Sequence, residues 1–149
     1  MQELQDDTIA HFIGKDVSYS NLDDLKAMIR VFFERASHQS PVQEKIFTSG
    51  SYRFVYESIN KRIMEHRRET NKGAFGLDEA SESIVFAYYG NITALLYRQW
   101  VEDGRKLSLD EIVELAQKLI CEGMGSVVKK DSVLENRSCG DRGFFILSF

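Results

Sequence analysis

Proline is almost missing from this chain: one residue, Pro41, in 149. With so few breakers, long helices are permitted almost anywhere outside the Ser40-Pro41 step. Cysteine is nearly as scarce. Cys121 and Cys139 belong to no motif, so neither a disulfide framework nor a cysteine-based zinc site is indicated. The three histidines, His11, His38 and His66, lie on separate segments without a second histidine or a cysteine one turn away. His66 with Glu69 has the i, i+3 spacing of a ligand pair, but Arg62, Arg67 and Arg68 beside it mark a solvated, charged helix end. No metal and no cofactor is expected. There is no glycine-rich phosphate loop and no nucleophile elbow, and the chain is not expected to be an enzyme. No apolar run approaches the roughly 20 residues that cross a bilayer, and Met1 to Asp7 is polar rather than signal-like, so no membrane partner and a cytoplasmic location are expected. A net charge of −4 leaves no basic surplus for nucleic acid.

What is present is helical periodicity. Hydrophobic residues at 43% and charged residues at 28% fit one globular domain, about 1–129, followed by a tail, 130–149. A short helix is predicted over 2–13 and a loop over Gly14 to Ser20. Asn21 then caps a helix over 21–37, whose stripe is Leu22, Leu25, Ile29, Phe32, Phe33 and Ala36. Pro41 starts a two-turn helix to Phe47. A further helix covers about 52–70 and gives way to a turn-rich loop, Asn71 to Gly76. The longest helix is expected at about 78–103, stopped by Gly104, and Ser108 with Glu111 forms a capping box for the last, about 109–122. The fold class is thus all-α, an antiparallel bundle of five or six helices. The tail has little pattern until Phe144-Phe-Ile-Leu-Ser-Phe149, which is apolar enough to dock, pair as an edge strand or aggregate.

The long helix carries the functional argument. One broad face holds Ile84, Val85, Tyr88, Tyr89, Ile92, Leu95, Leu96 and Trp100, and a second holds Phe86, Ala87, Gly90, Ala94, Tyr97 and Val101. A helix apolar on nearly every side is buried on nearly every side. The broad face is assigned to the chain's own core. The second is assigned to a partner, because Ala87, Gly90 and Ala94 offer a small-residue strip where another backbone can approach and a mid-helix glycine costs about 1 kcal/mol without such a reason. The dimer-interface candidates are therefore Phe86, Ala87, Gly90, Ala94, Tyr97 and Val101. Most aromatic side chains read as core; Phe33, Tyr56 and Tyr88 are the candidates for a ligand-pocket wall.

The run Phe86-Ala-Tyr-Tyr-Gly-Asn-Ile-Thr-Ala-Leu-Leu-Tyr-Arg-Gln-Trp-Val-Glu-Asp-Gly104, followed by Ser108-Leu-Asp-Glu-Ile112, resembles the end of the C-terminal ligand-sensing and dimerisation domain of TetR-family transcriptional regulators, in the branch common in Firmicutes. Phe32-Phe-Glu-Arg-Ala-Ser through Phe47 is similar to that domain's earlier helix pair. The resemblance spans about 1–125. It implies a homodimer through the last two long helices, a small-molecule effector bound inside the bundle, and regulation of transcription. It also implies an N-terminal helix-turn-helix that residues 1–20 do not supply, so direct DNA binding by this chain is not expected. A headless module of this kind would sequester a full-length relative as a mixed dimer. The alternative from another class is a small all-α enzyme or carrier with an aromatic-lined cavity, and a third is an unrelated helical interaction module.

Overall fold

The computed structural model describes residues 2–13, 21–123, 125 and 127. Among them the chain forms six α-helices, one 3₁₀ turn and no strand: α1 (Gln2–Ile13), α2 (Leu22–Ser37), α3 (Pro41–Thr48), the 3₁₀ turn (Gly50–Tyr52), α4 (Arg53–Thr70), α5 (Glu79–Glu102) and α6 (Leu109–Cys121). The expected all-helical bundle is observed. The predicted loop Gly14 to Ser20 and the tail 130–149, including Phe144 to Phe149, lie outside the described residues.

Four helices, α2, α3, α5 and α6, begin where a side chain takes up an unpaired backbone N–H group. Asn21 accepts from Asp24 N at 2.8 Å, and Ser40 and Ser108 each close a reciprocal box, with Gln43 and Glu111. Such caps contribute about 1 kcal/mol each. Asp78 caps α5 by accepting from the Ser81 backbone at 2.8 Å and from its hydroxyl at 2.8 Å, and this backbone bond, with the hydroxyl's, holds its carboxyl below the usual range. At the other end of α5, Gly104 (φ 80°) and Arg105 (φ 52°) turn left-handed, and Arg105 N donates back to Trp100 O at 2.8 Å. That six-to-one bond closes the helix as a Schellman turn.

α5 lies at the centre of the bundle and touches α2, α3, α4 and α6. α6 returns beside it after a short turn, pinned by Trp100 Nε1 donating to Leu107 O at 2.8 Å. It also runs antiparallel to α2, with Arg30 on Asp110 at 2.9 Å and Gln117 Nε2 donating to Lys26 O at 2.9 Å. α1 packs on α4 and α2. Arg35 from α2 and Arg67 from α4 both donate to Phe12 O, at 2.9 and 2.8 Å, so two guanidinium groups sit at the negative end of the α1 dipole. The core between these helices is aromatic: Phe12 meets Phe47 with ring centroids 5.1 Å apart, and Phe33 meets Tyr97 at 6.1 Å and Trp100 at 6.3 Å.

Candidate functional site

The structure buries α5 along a seam that cuts across both predicted faces. Phe86, Gly90, Ala94 and Tyr97 are buried within the chain's own core, with Tyr89, Thr93 and Trp100. Of the predicted interface set, Ala87 alone is exposed and Val101 is half-buried. The broad face, by contrast, is open along one line: Ile84 is 71% exposed, Tyr88 52% and Leu95 50%. The predicted interface is therefore corrected for Phe86, Gly90, Ala94 and Tyr97, which the fold makes inaccessible to a second chain.

The physical reason lies in what the small residues receive. A Cβ on Gly90 would stand 2.7 Å from Met64 Cγ, with the Met64 sulfur closer still. The close approach that Gly90 allows is thus made by α4 of the same chain. Beside it, Thr93 is fully inside because its hydroxyl donates to Tyr89 O, one turn back, at 2.6 Å. Tyr97 is buried with its phenol satisfied: it donates to Ala36 O at 3.0 Å and accepts from Gln39 Nε2 at 3.2 Å. Arg105 reaches the same phenol at 3.4 Å while pairing with Glu44 at 2.9 Å and covering the Trp100 ring at 5.4 Å. Burial pushes the Tyr97 phenol up, so it remains a neutral hydrogen-bonding group at neutral pH.

The three predicted pocket residues do not converge. Phe33 is fully buried in the Tyr97–Trp100 cluster. Tyr56 packs on Phe47 at 5.3 Å under the Arg98 guanidinium, 5.1 Å above its ring, and burial raises its phenol too. Arg98 is held there by its Nε donating to Phe47 O at 2.9 Å. Tyr88 stands at the edge of an apolar crevice of about 270 Å³ with Leu25, Phe75 and Ile120. Tyr56 also borders a separate pocket of about 160 Å³ with Phe47 and Arg98, and Phe33 borders neither of these two spaces.

A further, smaller cavity lies between α1, α2, α3, α4 and α5. It holds about 30 Å³ and is walled by Phe12, Met28, Phe47, Arg67 and Thr93, with Gly90 and Met64 at its α4–α5 side. Sequence reasoning missed it because its residues come from five helices, and no pattern along one helix shows which of them meet. Arg67 in particular lay in a run read as solvated, yet only 9% of it is exposed. Its outward neighbours explain the misreading: Arg62 pairs with Asp6 at 3.0 Å on the surface, and Arg68 is solvent-facing enough to reach Ser83 at 3.4 Å.

Among the described residues no three of His, Cys, Asp and Glu come together as metal ligands, and no helix is long and apolar enough to cross a membrane. No family model, curated protein or solved structure matches the chain.

Proposed function

We propose that this chain is the effector-binding and dimerisation part of a TetR-like transcriptional regulator, joining a second copy of itself through the outward face of α5. The observation that carries the reading is the line Ile84, Tyr88 and Leu95, all half or more exposed. At 100° per residue these three fall within about 40° of one another, so they form one apolar ridge rather than scattered exposure. Leu115 and Leu119 on α6 are half-buried. Two antiparallel α5–α6 pairs related by a two-fold axis make a four-helix bundle, and such an interface would remove about 800 Å² from each partner. The resemblance of the Phe86–Gly104 and Ser108–Ile112 runs supplies the regulatory assignment. The same face would accept a relative of this chain as a mixed dimer, and a net charge of −4 gives this chain no basic surplus for DNA contacts.

Sedimentation of the purified chain tests the association. A dimer is expected at tens of micromolar, and Leu95→Glu should convert it to monomer; a wild-type chain that stays monomeric overturns the proposal. A gel-shift assay on the DNA upstream of its own gene should show no binding by this chain. A salt-sensitive, sequence-specific shift would overturn that part.

A further inference from the structure

Ion pairs one helical turn apart close readily in this chain: Arg30–Glu34, Arg53–Glu57, Lys61–Glu65 and Glu114–Lys118 do so at 2.9–3.9 Å. Arg98 and Glu102 on α5 have the same spacing and do not pair, although both border the pocket of about 160 Å³ beside the α3–α4 junction. Arg98 is drawn aside by its Nε donating to Phe47 O at 2.9 Å and by the Tyr56 ring, 5.1 Å from its guanidinium. Among the described residues its Nη groups and the Glu102 carboxylate make no hydrogen bond or ion pair. Two opposite charges are thus held apart at the edge of one pocket. Tyr56 borders the same pocket, is 6% exposed, and its hydroxyl has no hydrogen-bond partner among the described residues. A phenol buried to that degree calls for one.

We propose that this pocket binds a small α-amino acid with an apolar side chain, its carboxylate on Arg98 and its ammonium on Glu102. This deepens the effector-binding half of the function proposed above and rests on it. The Nη groups of Arg98 are the end of a planar fork that matches a carboxylate, and the Tyr56 hydroxyl supplies a further donor. The remaining charge at the pocket, Arg53, is already met by Glu57 at 2.9 Å. Glu102 therefore disfavours a ligand that is only an anion, and Arg98 one that is only a cation. The backbone agrees with a ligand of both signs. Arg53 is the first residue of α4 and Glu102 the last of α5, so a positive and a negative helix end meet at the pocket. Neither Tyr52 nor, before the 3₁₀ turn, Ser49 covers the α4 end with a side-chain cap. Ile46 and Phe47 give the apolar wall for the side chain. At about 10–15 Å³ per water the space has room for about a dozen, enough for such a molecule without any wall moving.

The test is a titration of the full chain, labelled with ¹³C at the isoleucine δ1 methyls, with L-leucine. Ile46 lines the pocket, so its methyl reports arrival there, and Ile112 on α6 is the control. The Ile46 signal should shift saturably while Ile112 stays. 4-Methylpentanoate, which lacks only the ammonium, and 3-methylbutylamine, which lacks only the carboxylate, should each bind about tenfold more weakly than leucine. Glu102→Gln, at an exposed position that leaves the fold intact, should weaken leucine by about tenfold and 4-methylpentanoate not at all. Equal affinity for leucine and 4-methylpentanoate overturns the role of Glu102, and equal affinity for leucine and the amine overturns that of Arg98. An Ile46 methyl silent to both L-leucine and L-alanine at their solubility limits overturns the site. Sedimentation of the same samples separates this from the association reading: a dimer with a silent Ile46 breaks only the site, and a monomer with a responding Ile46 breaks only the dimer.

Discussion

The inward and outward faces of α5 are built from similar stock. Inside are Phe86, Tyr89, Ala94, Tyr97 and Trp100; outside are Ile84, Tyr88 and Leu95. Neither is polar, so hydrophobicity cannot rank them. What separates them is fit. The inward face has a notch at Gly90 that α4 fills with Met64, and two hydroxyls, on Thr93 and Tyr97, that find carbonyl acceptors at 2.6 and 3.0 Å. The outward face offers three large side chains and no notch. Small residues and satisfied hydroxyls mark the side that the chain folds against; an unbroken row of large apolar groups is what remains for something else.

The largest expected effect that tests this contrast is Phe86→Ala. As a core side chain, 2% exposed, its loss should cost about 3–5 kcal/mol of unfolding free energy in a denaturant melt. Were Phe86 part of a subunit contact instead, the melt of dilute protein would hardly move. Tyr97→Phe comes next. It keeps the ring but removes the hydroxyl that bonds Ala36 O and serves as acceptor for the buried Gln39 Nε2, and should cost about 1–3 kcal/mol. Leu95→Glu belongs to the other face and should leave the unfolding free energy of dilute protein within about 0.5 kcal/mol, while abolishing self-association. A large loss of stability there would mean that the outward face is packed after all. The smallest effect concerns the α5 cap. Because the folded Asp78 carboxyl titrates below its unfolded value, its contribution is fully present above the ordinary aspartate pKa of about 3.9 and is lost as pH falls through the lower folded value. Asp78→Asn keeps an acceptor at the cap and should flatten that part of the acid-melting profile; an unchanged profile would assign the acid sensitivity elsewhere.

The helices were readable because their signals are local. Asn21, Ser40-Pro41 and Ser108 with Glu111 act on backbone groups within four residues, and the helices start where these residues stand. The cap at Asp78 follows the same rule. The 3₁₀ turn at Gly50–Tyr52 falls at the break between the two predicted helices, Pro41 to Phe47 and about 52–70, and its N-terminal Ser49 makes no side-chain cap bond to announce it. The candidate site was far less legible. Phe33, Tyr56 and Tyr88 are aromatic residues of the expected kind, but whether a ring lines a cavity or fills one depends on rings from other helices, here Tyr97, Trp100 and Phe47. Arg67 shows the converse. Its sequence neighbours are surface ions, and only the crossing of α1 over α4 puts its guanidinium on Phe12 O.

Sequence alone determined that the described chain is helical, where its helices start and stop, and that α5 carries more apolar surface than one face needs. Those properties arise from interactions among residues a turn or two apart. Which face of α5 turns inward was decided only by tertiary structure. That choice depends on shape, the seating of Met64 over Gly90 and of Tyr97 under α2, and shape complementarity between helices has no signature along a single one.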